Sequence, residues 1–133
     1  MMTITYKTDR CPDTAEIIAL YVSSGLNRPT GDFERIHKMY ANSNLVVTSW
    51  DGATLVGIAR SLTDFCYSCY LSDLAVHLDY QKSGIGKHLV ALTKECIGEE
   101  SMLLLLSAPT AMTYYPRIGM DHLDNAFIIK REA

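Results

Sequence analysis

Apolar positions along the chain change period several times, and each change marks an element. From Thr3 to Lys7 they alternate, which predicts a short strand. Asp13 followed by Glu16 has the spacing of a capping box. Ile17, Leu20 and Tyr21 then recur at helical intervals, giving a helix that stops at Ser23-Ser24-Gly25. The stretch LNRPTGD (26–32) reads as loop because Pro29 and Gly31 break it, and a second helix is expected over 32–41, with Phe33, Ile36 and Tyr40 on one face. Strand patterns return over 44–50 and 54–63 on either side of the hairpin dipeptide Asp51-Gly52, and again over 67–76. Ile85, Leu89, Leu92 and Cys96 put an apolar stripe on a third helix, ended by Gly98. Met102 to Leu106 is an uninterrupted apolar run, the pattern of a strand covered on both faces. Pro109 opens a short helix through Tyr115, closed by Gly119, and Asn125 to Lys130 reads as a last strand.

The resulting order is β-α-α-β-β-β-α-β-α-β, with no internal repeat, linker or low-complexity segment. Three strands joined by tight turns pair antiparallel, and a β-α-β crossover then adds a parallel neighbour. The expected fold is therefore α/β of the α+β kind: a mixed, mostly antiparallel sheet flanked by helices. A chain of 133 residues fits one domain, 1–133.

Composition narrows the partners. A net charge of -3 supplies no basic face for nucleic acid. The longest apolar run is too short for a membrane span, and the N-terminal MMTITYKTDR has no apolar signal core, so a cytoplasmic location is expected. The cysteines then read as reduced thiols. Cys66 and Cys69 form a C-x-x-C, but no second close Cys or His pair accompanies it and it lies in a strand-like aromatic stretch. No metal site is expected; these are buried or pocket-lining thiols.

The chemistry concentrates after the third β-hairpin strand. The β-rich run from Tyr70 to Val76 stops at Asp79-Tyr80, a polar stretch carries Gly84 and Gly86, and a helix starts at once. Strand, glycine loop and helix N-terminus form an anion site, because free backbone N–H groups and the positive end of the helix dipole converge there. A Walker A loop would need glycine at Gln81 and Ser or Thr at His88, and a dinucleotide fingerprint would need a small residue at Leu89. Read on its glycines alone, the segment is either a phosphate loop of another kind or a strand-to-helix turn that binds nothing.

Gln81, Gly84 and Gly86 match Q/R-x-x-G-x-G/A, which resembles the acetyl-CoA pyrophosphate loop of the GNAT superfamily of N-acetyltransferases. The element order is that of the GNAT fold, and Tyr115-Pro116-Arg117-Ile118-Gly119 matches the family's Y-x-x-x-G element, with Met120 in place of its usual second aromatic. The resemblance implies an enzyme that moves the acetyl group of acetyl-CoA, with no metal, to a primary amine of a small-molecule acceptor by direct attack in a ternary complex. Coenzyme A would be held by the backbone of Leu74, Ala75 and Val76 and by Gln81, Lys82, Ser83, Gly84, Ile85, Gly86 and Lys87. Lys82 and Lys87 either add charge there or are solvated lysines.

The resemblance also implies that Tyr115 protonates the departing thiolate, with Tyr114 as the second donor, since a phenol of pKa near ~10 is protonated at neutral pH. Asp73 falls where some polyamine-type members meet the substrate amine, so it is either the amine's base or a hydrogen-bonded strand residue; Asp64 is the weaker candidate, with a turn role. His77 and His88 read as polar surface positions. Residues 23–29 form the acceptor rim, where Arg28 either binds a substrate carboxylate or is solvated. Phe65, Tyr67 and Tyr70 line the pocket or pack the sheet. Small members of the family are often homodimers. The alternative is a non-catalytic, acyl-CoA-binding regulator of a partner protein, because no strand Glu before the loop offers an unambiguous base.

Overall fold

Local signals place most of the elements where the periodicities put them. A computed structural model describes residues 3–133. Strand β1 (Ile4–Lys7) precedes helix α1 (Thr14–Ser24), where the Asp13 N–H donates to Glu16 Oε1 at 3.3 Å and Gly25 ends the helix at φ 80°. Helix α2 (Phe33–Ala41) starts at Asp32, whose carboxylate accepts the Arg35 N–H at 3.1 Å. Strands β2 (Leu45–Asp51), β3 (Thr54–Thr63) and β4 (Ser68–Val76) follow, then α3 (Ile85–Ile97), β5 (Met102–Leu104) and α4 (Tyr114–Arg117), with single 3-10 turns at Leu78–Tyr80 and Pro109–Ala111.

The sheet runs β1-β2-β3-β4-β5; β1 to β4 pair antiparallel, and the β4-α3-β5 crossover makes β5 parallel to β4. One face is covered by α1 and α2 through Ile17, Leu20, Tyr21, Ile36 and Tyr40 against Trp50, Ile58 and Ala75. The other is covered by α3, whose Ile85, Leu89 and Ile97 meet Val47, Val56 and Leu71. Gly57 allows α3 to lie close, since a Cβ there would stand 3.0 Å from the Leu89 side chain and 2.2 Å from Ser49 Oγ.

Two expectations are corrected. Asn125 to Lys130 forms no strand: residues 121–133 are exposed and carry no regular structure, and a strand pattern that joins no sheet leaves its backbone groups to water. The apolar run Met102 to Leu106 is not covered on both faces either. Only Met102–Leu104 pairs, and Met102 and Leu106 are each more than half exposed. The fold is otherwise the expected mixed, mostly antiparallel α+β arrangement. Among the described residues no helix is long and apolar enough to cross a membrane.

Candidate functional site

The site is built by two departures of β4 from a regular strand. The first is a bulge. Arg60 pairs with Asp73 but Ser61 pairs with Leu71, so Ser72 is an extra residue on β4. One inserted residue exchanges the faces of everything beyond it. Cys69 and Leu71 therefore pack with α3, whereas Asp73 and Ala75 turn to the α1/α2 side. The second departure is divergence from β5. The two strands pair only at Ser68–Tyr70 against Met102–Leu104, and from Leu71 to Val76 that edge of β4 has no ladder partner among the described residues. The unpaired part of that edge is the end of β4 that leads into the glycine loop.

At that end the chain makes a 3-10 turn and enters the loop. Lys82 (φ 64°) and Gly84 (φ 86°) both lie in the left-handed region, a cost of about 1–3 kcal/mol at a residue other than glycine such as Lys82. The Gln81 amide donates to the Val76 carbonyl at 2.9 Å, and the Ser83 hydroxyl donates to the Tyr80 carbonyl, which fixes the loop against the strand it follows. No side chain caps α3, and its first helical bond runs from the His88 N–H to Gly84 O at 3.1 Å. The amides of Ile85, Gly86 and Lys87 therefore point out of the helix end with the dipole behind them. Ile85 is buried by its side chain and offers only its amide. A Cβ on Gly86 would stand 2.7 Å from the Tyr114 hydroxyl and 3.9 Å from Val76, so β4, the first turn of α3 and α4 meet at this glycine.

Asp73 lies deeper and is fully engaged. Its carboxylate receives Arg60 Nε at 3.1 Å and Nη2 at 3.1 Å, Arg28 Nε at 2.9 Å, the Ser72 hydroxyl at 3.0 Å and the Tyr21 hydroxyl. Tyr40 donates in turn to Tyr21, and Arg60 Nη1 donates to the Ser43 hydroxyl. Arg28 also donates to the carbonyls of Asn27 at 2.7 Å and Ser72 at 2.8 Å, which ties the α1–α2 loop to the bulge. Burial alone would raise the Asp73 carboxyl. The hydrogen bonds from Arg60 and Tyr21 and the nearby guanidinium charges outweigh it and hold the carboxyl below its ordinary value. Burial, then the neighbouring Tyr40 and Asp73, push the Tyr21 phenol far above its ordinary value.

The other candidates separate clearly. Tyr114 and Tyr115 pack edge to face at 5.1 Å, and burial raises both phenols, so both are protonated at neutral pH. Asp64 accepts the N–H groups of Cys66, Tyr67 and Ser68 in the β3–β4 turn, which hold its carboxyl at about 2; it is a turn residue. Phe65 and Tyr67 belong to that turn, at the opposite end of β4 from the glycine loop, and are exposed. His88 stacks on Tyr6 at 4.0 Å and His77 accepts the Asp79 N–H at 3.1 Å. Cys69 is buried and Cys66 exposed, and no group of metal-ligating side chains occurs among the described residues. Periodicity did not reveal the partners of Asp73. Its one local signal was an aspartate inside a strand, where that residue is depleted.

Comparison with known proteins bears on this geometry. An uncharacterized N-acetyltransferase of ycf52-like type from Prochlorococcus marinus is 27% identical over 123 residues, 88% of this chain and 67% of that protein. A probable acetyltransferase from meticillin-resistant Staphylococcus aureus superposes with a TM-score of 0.82 at 21% identity, over 97% of this chain and 100% of its own. The aminoglycoside N-acetyltransferase AAC(6')-Iy, solved in complex with CoA, superposes with a TM-score of 0.73 at 10% identity, over 100% of this chain and 97% of its own. At these identities the two structures show the fold. The family model for the acetyltransferase (GNAT) domain matches residues 30–129, which include β4, the glycine loop and α4. The chain belongs to the GNAT acetyltransferase family, which uses acetyl-CoA.

Proposed function

We propose that the protein is an N-acetyltransferase that acetylates a primary amine of a small molecule, by direct attack with donor and acceptor bound together. The observation that carries this reading is the divergence of β4 from β5 above the uncapped N-terminus of α3. When bound, acetyl-CoA supplies the activated thioester. The chain fits it with two sets of donors and acceptors. The backbone of Leu74, Ala75 and Val76 lies on the unpaired edge, where an extended amide-bearing chain can add as a strand would. Ser83, Gly84, Ile85, Gly86 and Lys87 turn their amides toward one anion position, and Lys82 and Lys87 add positive charge beside it. That AAC(6')-Iy, on the same fold, was solved in complex with CoA supports coenzyme A as the ligand.

Tyr115 holds the proton for the leaving thiolate, and burial keeps its phenol neutral for that purpose. Tyr114, with its hydroxyl against Gly86, shapes the mouth of the loop. Asp73 is not the base in this reading. A carboxylate that accepts bonds from two guanidiniums and a phenol has little affinity left for a proton. It is a positioning residue that fastens Arg28 and the acceptor rim to β4, and the amine gives its proton to water. That fastened rim favours a compact acceptor over an extended peptide.

The test is a free-thiol release assay with acetyl-CoA against amines, amino acids, polyamines, aminoglycosides and peptides. The blank is a variant with Gly84→Val and Gly86→Val. Acceptor-dependent thiol release that the variant loses is expected. Coenzyme A binding without acceptor-dependent release from any amine would overturn the catalytic reading.

A further inference from the structure

The Asp73 carboxylate is complete in hydrogen bonds, but its cluster is not balanced in charge. Two guanidinium cations, Arg28 and Arg60, stand on this single carboxylate at 2.9 and 3.1 Å. Neither has a second carboxylate within ion-pair distance among the described residues, so one positive charge is in excess. Tyr21, Tyr40, Ser43 and Ser72 fill out the cluster and supply no anion, because burial keeps both phenols protonated. Asp73 and Arg60 are buried, whereas the Arg28 side chain is 27% exposed. The excess charge therefore meets solvent at Arg28.

Arg28 also has bonding capacity left. Of its five N–H groups, Nε and one on Nη2 face Asp73 Oδ1, the second on Nη2 donates to the Ser72 carbonyl, and one on Nη1 donates to the Asn27 carbonyl. The other Nη1 hydrogen has no protein acceptor among the described residues, and the four bonds already hold the planar group in one orientation. Ser72 is the bulge residue near the start of the open edge 71–76. A pantetheine arm laid from the glycine loop along 74–76 runs toward it and brings the thioester to the same place. No acidic side chain stands in the rim 23–29, and Asp64 is committed to the N–H groups of the β3–β4 turn.

We propose that the acceptor is an amino acid in the broad sense, an amine that also carries a carboxylate, and that Arg28 receives the carboxylate. The inference rests on the acetyltransferase reading above and narrows it. The amine, having given its proton to water, bonds to the acetyl carbon as the carbon–sulfur bond breaks. The thiolate takes its proton from Tyr115, and the carboxylate is unchanged. Held on Arg28, that carboxylate neutralises the excess charge through a charge-assisted hydrogen bond. A polyamine or an aminoglycoside would instead bring several positive charges to two guanidiniums with no free carboxylate, and like charges so placed repel. The aminoglycoside N-acetyltransferase on the same fold is thus a guide to the scaffold and not to the acceptor.

The test pairs α- and ω-amino acids with the amines that differ only by the lost carboxylate, such as phenylalanine with phenethylamine and lysine with cadaverine. Spermidine and kanamycin serve as polycations. Free-thiol release with acetyl-CoA is read beside backbone-amide NMR shifts of the coenzyme A-bound protein on adding each compound. The best amino acid should exceed its partner amine about 10- to 100-fold in kcat/KM, with shifts at 27–28 and 72–73 for the amino acid alone. In Arg28→Gln that ratio should shrink below ~3-fold, and Arg28→Lys, which keeps the charge but not the fork, should hold part of it. Shifts at 27–28 without thiol release from any compound would retire the catalytic reading and leave this inference standing. An amine or polycation used as well as every amino acid would overturn it. So would a ratio unchanged in Arg28→Gln, the mark of a purely structural arginine, or no shift at 27–28 with any amino acid.

Discussion

Two regions of β4 handle charge in opposite ways. At the bulge, Asp73 is buried with two guanidiniums, a phenol and a serine hydroxyl already on its oxygens. Past the end of the same strand, the glycine loop presents backbone donors from an uncapped helix with no partner of their own. A region whose hydrogen bonds are internally complete holds the fold together, because satisfying buried polar groups is a condition of folding. A region that leaves donors directed outward is available to a ligand. In the proposed reading the titratable residue and the reactive surface are therefore different places, and a strand aspartate whose oxygens are all engaged is not by itself a base.

That contrast breaks most visibly at Asp73. Asp73→Ala removes the carboxylate that pairs with both Arg28 and Arg60 and should destabilise the protein by about 3–5 kcal/mol, read as a shifted urea midpoint. A variant that stays folded and loses only turnover would return Asp73 to the role of base. Next comes Tyr115→Phe, expected to lower turnover about 100-fold with the KM for acetyl-CoA and the urea midpoint unchanged. Unaltered turnover would remove Tyr115 from the chemistry, and the same exchange at Tyr114 then becomes the decisive one. Arg28→Ala should cost about 1.5 kcal/mol, the low end for a charged hydrogen bond because its side chain is 27% exposed. It should weaken acceptor affinity and leave coenzyme A affinity alone.

The smallest expected effect is a two-sided pH dependence of stability. The Asp73 carboxyl is depressed in the fold, so its contribution is present above the unfolded carboxylate value near ~4 and fades as pH falls below it. The Tyr21 and Tyr40 phenols are raised, so their contribution is present below ~10 and fades as pH rises above that. Urea midpoints across pH 3 to 11 should be flat in the centre and fall at both ends. In Tyr21→Phe the alkaline fall should shrink.

Much of the scaffold was legible because its signals are local. Asp13 with Glu16, Asp51-Gly52, and Gly84 before the Ile85 stripe each act within a few residues, and each appears where it was read. The Asp73 cluster was not legible, since Arg60, Arg28 and Tyr21 lie 13, 45 and 52 residues away and only the Ser72 bulge turns the carboxylate toward them. No periodicity records an inserted residue in a strand whose faces are both half apolar. The loop was readable as an anion site, whereas the short pairing of β5 that leaves residues 71–76 with an open edge depends on where the crossover returns. The tail shows the converse, a strand pattern that stands in no sheet.

The central claim is that the ligand belongs to the loop and the open edge of β4 and leaves the Asp73 cluster untouched. The most direct measurement is a backbone-amide NMR titration of the protein with coenzyme A. The largest shifts are predicted at 74–76 and 83–87, with Tyr21, Tyr40 and Arg60 unmoved. Shifts centred on the α1–α2 loop and the Asp73 cluster, or none at millimolar ligand, would contradict it.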